Sequence, residues 1–97
     1  MNSPNKQKLP VVCPSCDATL SVSQLSCGSC QTTVSGNFGL PVLLQLSPEE
    51  QSFVLRFILT GGSLKEMASQ LGNSYPTVRN KLDDLIAKIT QLQQYDL

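Results

Sequence analysis

The chain has 97 residues, with seven basic and seven acidic side chains and no histidine or tryptophan. This length allows one ordinary domain or two very small ones. The zero net charge excludes the strongly basic footprint that is usual in proteins binding nucleic acid by charge alone. The apolar run from Phe53 to Leu59 is interrupted by Arg56 and is far too short to cross a bilayer. We therefore expect no membrane partner and a cytoplasmic location.

Two CxxC pairs contain every cysteine of the chain, Cys13 with Cys16 and Cys27 with Cys30. Thiolate pairs at this spacing, on two turns joined by a short hairpin, are typical of a tetrahedral zinc site. Four cysteine ligands fill the tetrahedron, so the sequence predicts one structural zinc ion with no open position for catalysis. The alternatives are a disulfide framework, which needs an oxidising compartment, and a redox CxxC, which needs a βαβ context.

A β-rich zinc ribbon is predicted over residues 1–36, with residues 1–9 disordered. The alternating apolar pattern of residues 18–25 predicts a first strand. The β-branched residues Thr32, Thr33 and Val34 predict a second strand after the second cysteine pair. So short a segment buries too little apolar surface to offset its conformational entropy, so zinc is expected to hold it folded.

The segment 37–46 is predicted to connect this ribbon to a second module over residues 47–97. It is rich in turn residues, yet it is too apolar for a free linker. We expect it to pack between the two halves through its large side chains, which are Phe38, Leu40, Val42, Leu43, Leu44 and Leu46.

Local start and stop signals predict three helices in the second module. Capping boxes at Ser47–Glu50 and Ser63–Glu66 mark two helix starts, and Gly61-Gly62 and Gly72 mark two ends. The third helix begins with Tyr75-Pro76 in its first turn. The side chains expected on the buried faces are Phe53, Val54, Phe57, Ile58, Leu64, Met67, Ala68, Leu71, Val78, Leu82, Leu85, Ile86 and Ile89.

The last two helices have the spacing of a helix-turn-helix. Because its two helices cross closely, one position in the first helix must be small. The turn favours glycine, and the recognition helix needs an apolar anchor. Ala68, Gly72 and Val78 meet these three requirements. The fold class predicted for the chain is therefore a two-module protein, a β-rich zinc ribbon followed by an all-α three-helix helix-turn-helix domain.

The motifs resemble known families. Leu64 to Gly72 and Tyr75 to Leu82 are similar to the helix-turn-helix of LuxR-type regulators and of the fourth region of sigma factors. Together with the CPSC and CGSC pairs, the segments Gly39-Leu40-Pro41, Leu46-Ser47-Pro48-Glu49 and Ser74 to Asn80 resemble the bacterial family catalogued as domain of unknown function 2089. The resemblance implies a small bacterial or archaeal protein with a zinc ribbon, a helix-turn-helix and a role in transcription regulation.

Three residues depart from these patterns. Asp17 and Gln31 follow the CxxC pairs where many zinc ribbons place glycine. Asn73 follows the turn glycine where an apolar residue often closes the helix-turn-helix. The backbone conformation at these positions decides how tightly the cysteine turns and the helix turn close.

Polar residues at the start of the third helix are the candidate DNA contacts. Arg79 suits guanine and Asn80 suits adenine. Ser74, Tyr75 and Thr77 suit phosphate. The alternative interpretation is an ordinary solvated helix face, since Asp83 and Asp84 lie one turn further and repel phosphate. The full candidate set is Ser74, Tyr75, Thr77, Arg79, Asn80 and Lys81.

The sequence predicts a DNA-binding transcriptional regulator whose ribbon is a structural or protein-contacting arm. The alternative is a protein-interaction adaptor that docks on the transcription machinery without touching DNA. Neither an enzyme nor a small-molecule substrate is expected, because no nucleophile is paired with a base and no phosphate loop is present. Residues 61–97 carry four basic and four acidic side chains, so DNA affinity needs a homodimer or a partner. Candidate dimer contacts are Ile89, Leu92 and Tyr95.

Overall fold

The computed structural model describes residues 7–95, except for the side chain of Tyr95. The predicted disorder of residues 1–9 falls mostly outside this range, and residues 7–9 have no regular secondary structure. The chain divides after Gln45 into two compact units, which are described separately below.

The first unit contains a two-stranded antiparallel sheet. Strand β1 spans Val22–Ser26 and strand β2 spans Thr33–Phe38, with Leu25 opposite Val34. An isolated bridge joins Val12 to Thr19, ahead of β1, so the first predicted strand is split into a bridge and a later strand. Strand β2 continues two residues past the predicted ribbon boundary. A 3₁₀ helix, Val42–Gln45, follows in the segment predicted as a connector.

The second unit contains three helices, α1 over Pro48–Leu59, α2 over Leu64–Leu71 and α3 over Tyr75–Tyr95. The predicted capping box of α1 is confirmed. The Glu50 backbone N–H donates to Ser47 Oγ at 3.2 Å, and the Ser47 N–H donates to Glu50 Oε1 at 2.8 Å.

Only half of the second predicted capping box forms, at the start of α2. The Glu66 N–H donates to Ser63 Oγ at 3.1 Å. The Glu66 carboxylate, however, accepts from Gln70 Nε2 at 3.4 Å, one turn along the same helix. The hydroxyl cap is therefore the part of the motif that positions the start of α2.

Glycines in the left-handed conformation end α1 and α2, as predicted. Gly72 has φ 67°, its N–H donates to Ser69 O at 3.4 Å, and the Asn73 N–H donates to Ala68 O at 3.0 Å. This pair of bonds is the Schellman motif, and Gly61-Gly62 ends α1 with the same pair. Asn73 is half-buried within this tight turn, so a polar residue closes it through its backbone N–H.

The core of the helical unit lies where α2 crosses α3. Met67 and Val78 have no exposed surface, and Ala68 is buried beside them. Phe53, Phe57, Leu71 and Leu82 are half-buried against this cluster. The small side chain of Ala68 permits the close approach that a helix-turn-helix requires.

Two side chains that were predicted to lie on buried faces are exposed. Ile58 is 66% exposed and Ile86 is 50% exposed. Each directly follows a residue on the packed face, Phe57 or Leu85, and one step along a helix turns the side chain by about 100°. The buried faces of α1 and α3 are therefore narrower than the apolar pattern predicted.

Candidate functional site

The first cysteine pair lies on a turn closed by backbone hydrogen bonds. The Asp17 N–H donates to Cys13 O at 2.9 Å, and the Cys13 N–H donates to Ala18 O at 2.8 Å. The Ser15 N–H points at Cys13 Sγ at 3.4 Å. The turn therefore directs the Ser15 backbone N–H toward the sulfur of Cys13.

The second cysteine pair repeats this turn fourteen residues later at the tip of the β1–β2 hairpin. The Gln31 N–H donates to Cys27 O at 2.9 Å, and the Cys27 N–H donates to Thr32 O at 2.7 Å. The Ser29 N–H approaches Cys27 Sγ at 3.4 Å. The two turns, called the cysteine knuckles below, therefore share one geometry.

Asp17 and Gln31 close the two knuckles in the left-handed conformation, each with φ 63°. That conformation is the one for which glycine is usually chosen, and it costs other residues about 1–2 kcal/mol. Both knuckles therefore adopt the backbone conformation typical of glycine, although the residues at these positions are Asp17 and Gln31.

The knuckles favour the thiolate, which is the form that binds metal. Hydrogen bonds from the backbone of Cys16 and Ser15 lower the pKa of the Cys13 thiol. The Thr32 hydroxyl, 3.0 Å from Cys30 Sγ, lowers the pKa of the Cys30 thiol. One thiol of each knuckle therefore loses its proton more readily than an ordinary cysteine.

The donor set of four thiols fits zinc, which accepts sulfur ligands in a tetrahedron. Within the residues that the structure describes, no three metal-ligating side chains converge on one point. The structure thus shows two similar half-sites, Cys13 with Cys16 and Cys27 with Cys30. All four thiols belong to one small unit.

The six candidate DNA contacts lie together at the start of α3, and all are exposed. Two of them also cap the helix. The Thr77 N–H donates to Ser74 Oγ at 3.3 Å, and the two hydroxyl oxygens lie 2.8 Å apart. Ser74 and Thr77 therefore fix the start of α3. The neighbouring Tyr75 ring is 51% exposed beside them.

Arg79 is paired with an acidic residue on its own helix. Its Nε lies 3.4 Å from Asp83 Oδ1, and both side chains are 53% exposed. Sequence reasoning treated Asp83 only as a charge that repels phosphate. An arginine followed four residues later by an aspartate is the signal that would have indicated the pair.

The candidate dimer residues are less accessible than expected. Ile89 and Leu92 are half-buried, and the side chain of Tyr95 lies outside the described residues. A more exposed apolar stripe, missed by sequence reasoning, lies on α1. It consists of Leu55, Ile58 and Leu59, which are 60%, 66% and 77% exposed. The signal for it was that α1 carries apolar residues around most of its circumference.

Taken together, these features define a class of protein with a cysteine-knuckle ribbon and a helix-turn-helix. No helix in the described part of the chain combines the length and apolar character needed to cross a membrane. Residues 13–43 match the family model described as the DUF2089 zinc ribbon, and residues 46–91 match the one described as "Domain of unknown function (DUF2089)-HTH". The chain belongs to the DUF2089 family, as its motifs predicted.

No curated protein and no solved structure matches the chain. The family match confirms the two-module fold, a zinc ribbon followed by a helix-turn-helix. The matched zinc-ribbon region includes both cysteine pairs, and the ribbon holds one structural zinc ion between them.

Proposed function

We propose that the protein is a DNA-binding transcriptional regulator whose ribbon is kept folded by zinc. The observation that carries the proposal is the geometry of α2 and α3. Ala68 and Val78 are buried at their crossing, and Gly72 turns the chain between them. This arrangement leaves the start of α3 exposed, which is the part of a recognition helix that enters the major groove.

The exposed side chains at that end divide by chemistry into two groups. Arg79 and Asn80 present the donors and acceptors that read guanine and adenine edges. Lys81, Tyr75 and the capping hydroxyls suit phosphate, which positions the protein on DNA without reading its sequence. The proposal thus assigns specificity to two adjacent residues of α3.

The absence of net charge in the helix-turn-helix limits its affinity for DNA. From Gly61 onward it has as many acidic as basic side chains, so a single copy gains little from releasing counterions. We propose that a homodimer, or a protein partner bound by the ribbon, supplies the remaining affinity. Ile89, Leu92 and Tyr95 stay the candidate residues for the dimer contact.

Retention of DNA fragments by the zinc-loaded chain tests the proposal. We expect fragments to be retained at about 50 mM salt, with affinity falling linearly on a log–log plot as salt rises. Arg79→Ala and Asn80→Ala are expected to weaken retention. Ser52→Ala, an exposed change on α1 outside the candidate DNA and dimer contacts, is the control and should not. Failure of the zinc-loaded chain to retain any DNA contradicts the proposal.

The second candidate function is an adaptor that docks on the transcription machinery. The exposed side chains of Leu55, Ile58 and Leu59 on α1 favour it. Exposed aliphatic side chains that lie side by side are typical of a protein-binding surface, whereas single exposed ones are ordinary. The adaptor proposal predicts no salt-dependent DNA affinity. In both proposals the protein binds rather than catalyses, and it acts in the cytoplasm, where the transcription machinery of a bacterium lies.

A further inference from the structure

The ion pair between Arg79 and Asp83 constrains how the arginine meets a base. The two residues lie one turn apart on α3, and Asp83 Oδ1 is 3.4 Å from Arg79 Nε. Since both side chains are about half exposed, the pair contributes little to the stability of the fold. The ion pair instead affects how the guanidinium group of Arg79 is oriented.

The atom that Asp83 contacts is informative. A guanidinium group carries five N–H donors in a rigid plane, one on Nε and two on each terminal nitrogen. Bidentate recognition of guanine requires two parallel donors for O6 and N7. Asp83 lies beside the Nε side of the guanidinium group, so the edge formed by the two terminal nitrogens stays free for the base.

We propose that Asp83 is a positioning residue that orients Arg79 and makes guanine the base read at that position. The proposal rests on the DNA-binding function proposed above and deepens it. Arg79 would contact the base, and Asp83 would act through Arg79. Loss of Asp83 would leave an arginine that swings freely between base edges and phosphates.

Two opposing effects give this role a distinct signature. The Asp83 carboxylate repels phosphate, so its removal raises affinity for any DNA. Its removal also frees Arg79, so the preference for guanine falls. A carboxylate that is only a surface charge produces the first effect without the second.

Asp84 provides the matched control. It is the next residue on α3, it is exposed, and it forms no ion pair within the part of the chain that the structure describes. Asp84→Asn removes the same charge from the same turn of the helix. Asp83→Asn removes that charge and the ion pair with Arg79.

The experiment selects from a pool of duplexes with about 25 randomised base pairs, enough for two half-sites one helical turn apart. The zinc-loaded full chain and the variants Asp83→Asn, Asp84→Asn and Arg79→Lys are each used to retain and sequence the pool. Circular dichroism confirms that each variant is folded. The quantities compared are total retention and enrichment of guanine at the selected positions.

We expect both aspartate variants to retain more of the pool than the parent. Guanine enrichment should fall about tenfold in Asp83→Asn and in Arg79→Lys, because a loss of that size lies within the range by which a good bidentate contact discriminates against the wrong base. It should be unchanged in Asp84→Asn. Equal guanine enrichment in Asp83→Asn and Asp84→Asn overturns the positioning role and leaves DNA binding standing. A pool that is retained without enrichment also overturns it, and a pool that is not retained overturns both proposals.

Discussion

The ribbon and the helical unit are stabilised by different forces. In the ribbon, Val22 is half-exposed and every other residue of β1 and β2 is exposed. Even the cross-strand pair of Leu25 and Val34 is more than half exposed. In the helical unit, Met67 and Val78 have no exposed surface. Apolar burial therefore organises the helices, whereas in the ribbon the sheet arranges the cysteines and the metal stabilises the sheet.

Removing a zinc ligand tests whether the metal stabilises the ribbon independently of the helices. In Cys30→Ser, or after chelation, the ribbon should unfold, because structural zinc supplies about 10–16 kcal/mol to small domains at neutral pH. Amide NMR resonances of residues 13–38 should lose their dispersion. The far-UV circular dichroism signal of the three helices should remain.

A helical signal that falls away with the zinc contradicts the independent stabilisation of the two units and shows that they are one cooperative structure. Ser23→Ala, an exposed change in β1 away from the cysteines, is the control and should leave both signals intact.

Truncating the helical core tests whether apolar burial stabilises the helical unit. Met67→Ala should lower the free energy of unfolding of the helical unit by about 2–5 kcal/mol, because the side chain is fully buried. Urea unfolding followed by circular dichroism measures the change. The ribbon resonances should persist in the variant under native conditions.

Ile86→Ala is the matched control, since Ile86 is 50% exposed. We expect it to lower the free energy of unfolding by less than about 0.5 kcal/mol. If it costs as much as Met67→Ala, the outer face of α3 is covered in solution, and burial in the helical unit is wider than the structure shows.

Local chemistry made part of the fold predictable from the sequence. The Ser47 capping box, the glycine at the end of α2 and the cysteine knuckles each depend on a few adjacent residues. The exposure of Ile58 and Ile86 was not predictable, since the width of a buried face depends on how the helices cross. A periodic pattern identifies the centre of a buried face better than its edges.

At the candidate site, the sequence identified the residue types, and the structure added their contacts. The four cysteines were predicted from their spacing, and the polar start of α3 was predicted from the helix-turn-helix pattern. The backbone donors that approach Cys13 and Cys27, and the pairing of Asp83 with Arg79, needed coordinates. These contacts depend on dihedral angles and rotamers, which composition and periodicity do not specify.

The left-handed turn at Gly72 allows backbone conformation to be separated from burial. Its φ is 67°, and an added Cβ would meet nothing within 4 Å. Gly72→Ala should therefore cost about 1–2 kcal/mol through conformation alone. Thermal unfolding measures the change. Gly72→Asn should cost less, because asparagine adopts this conformation more readily, and equal unfolding temperatures for both variants and the parent contradict the assignment.

Removing the ion pair between α1 and α3 should change the stability of the fold only slightly. Lys88 Nζ lies 2.6 Å from Glu50 Oε1. Burial raises the pKa of Glu50, but hydrogen bonds from Lys88 and Ser47 outweigh it, so the pKa lies below its ordinary value. A carboxyl with a lowered folded-state pKa stabilises the fold above its unfolded pKa of about 4.3. That stabilisation is lost as the pH falls through the folded pKa.

Glu50→Gln isolates the charge, since glutamine can still accept from the Ser47 N–H. The variant should be less stable than the parent at pH 7 by less than about 1 kcal/mol, because the pair is partly exposed. The difference should begin to shrink as the pH falls below about 4.3 and should vanish below the folded-state pKa of Glu50. Glu49→Gln, the control, removes a charge from the same turn without touching Lys88 and should give a smaller difference at pH 7. If the parent and Glu50→Gln differ equally at pH 7 and at pH 2.5, the ion pair is not the source of the difference in stability.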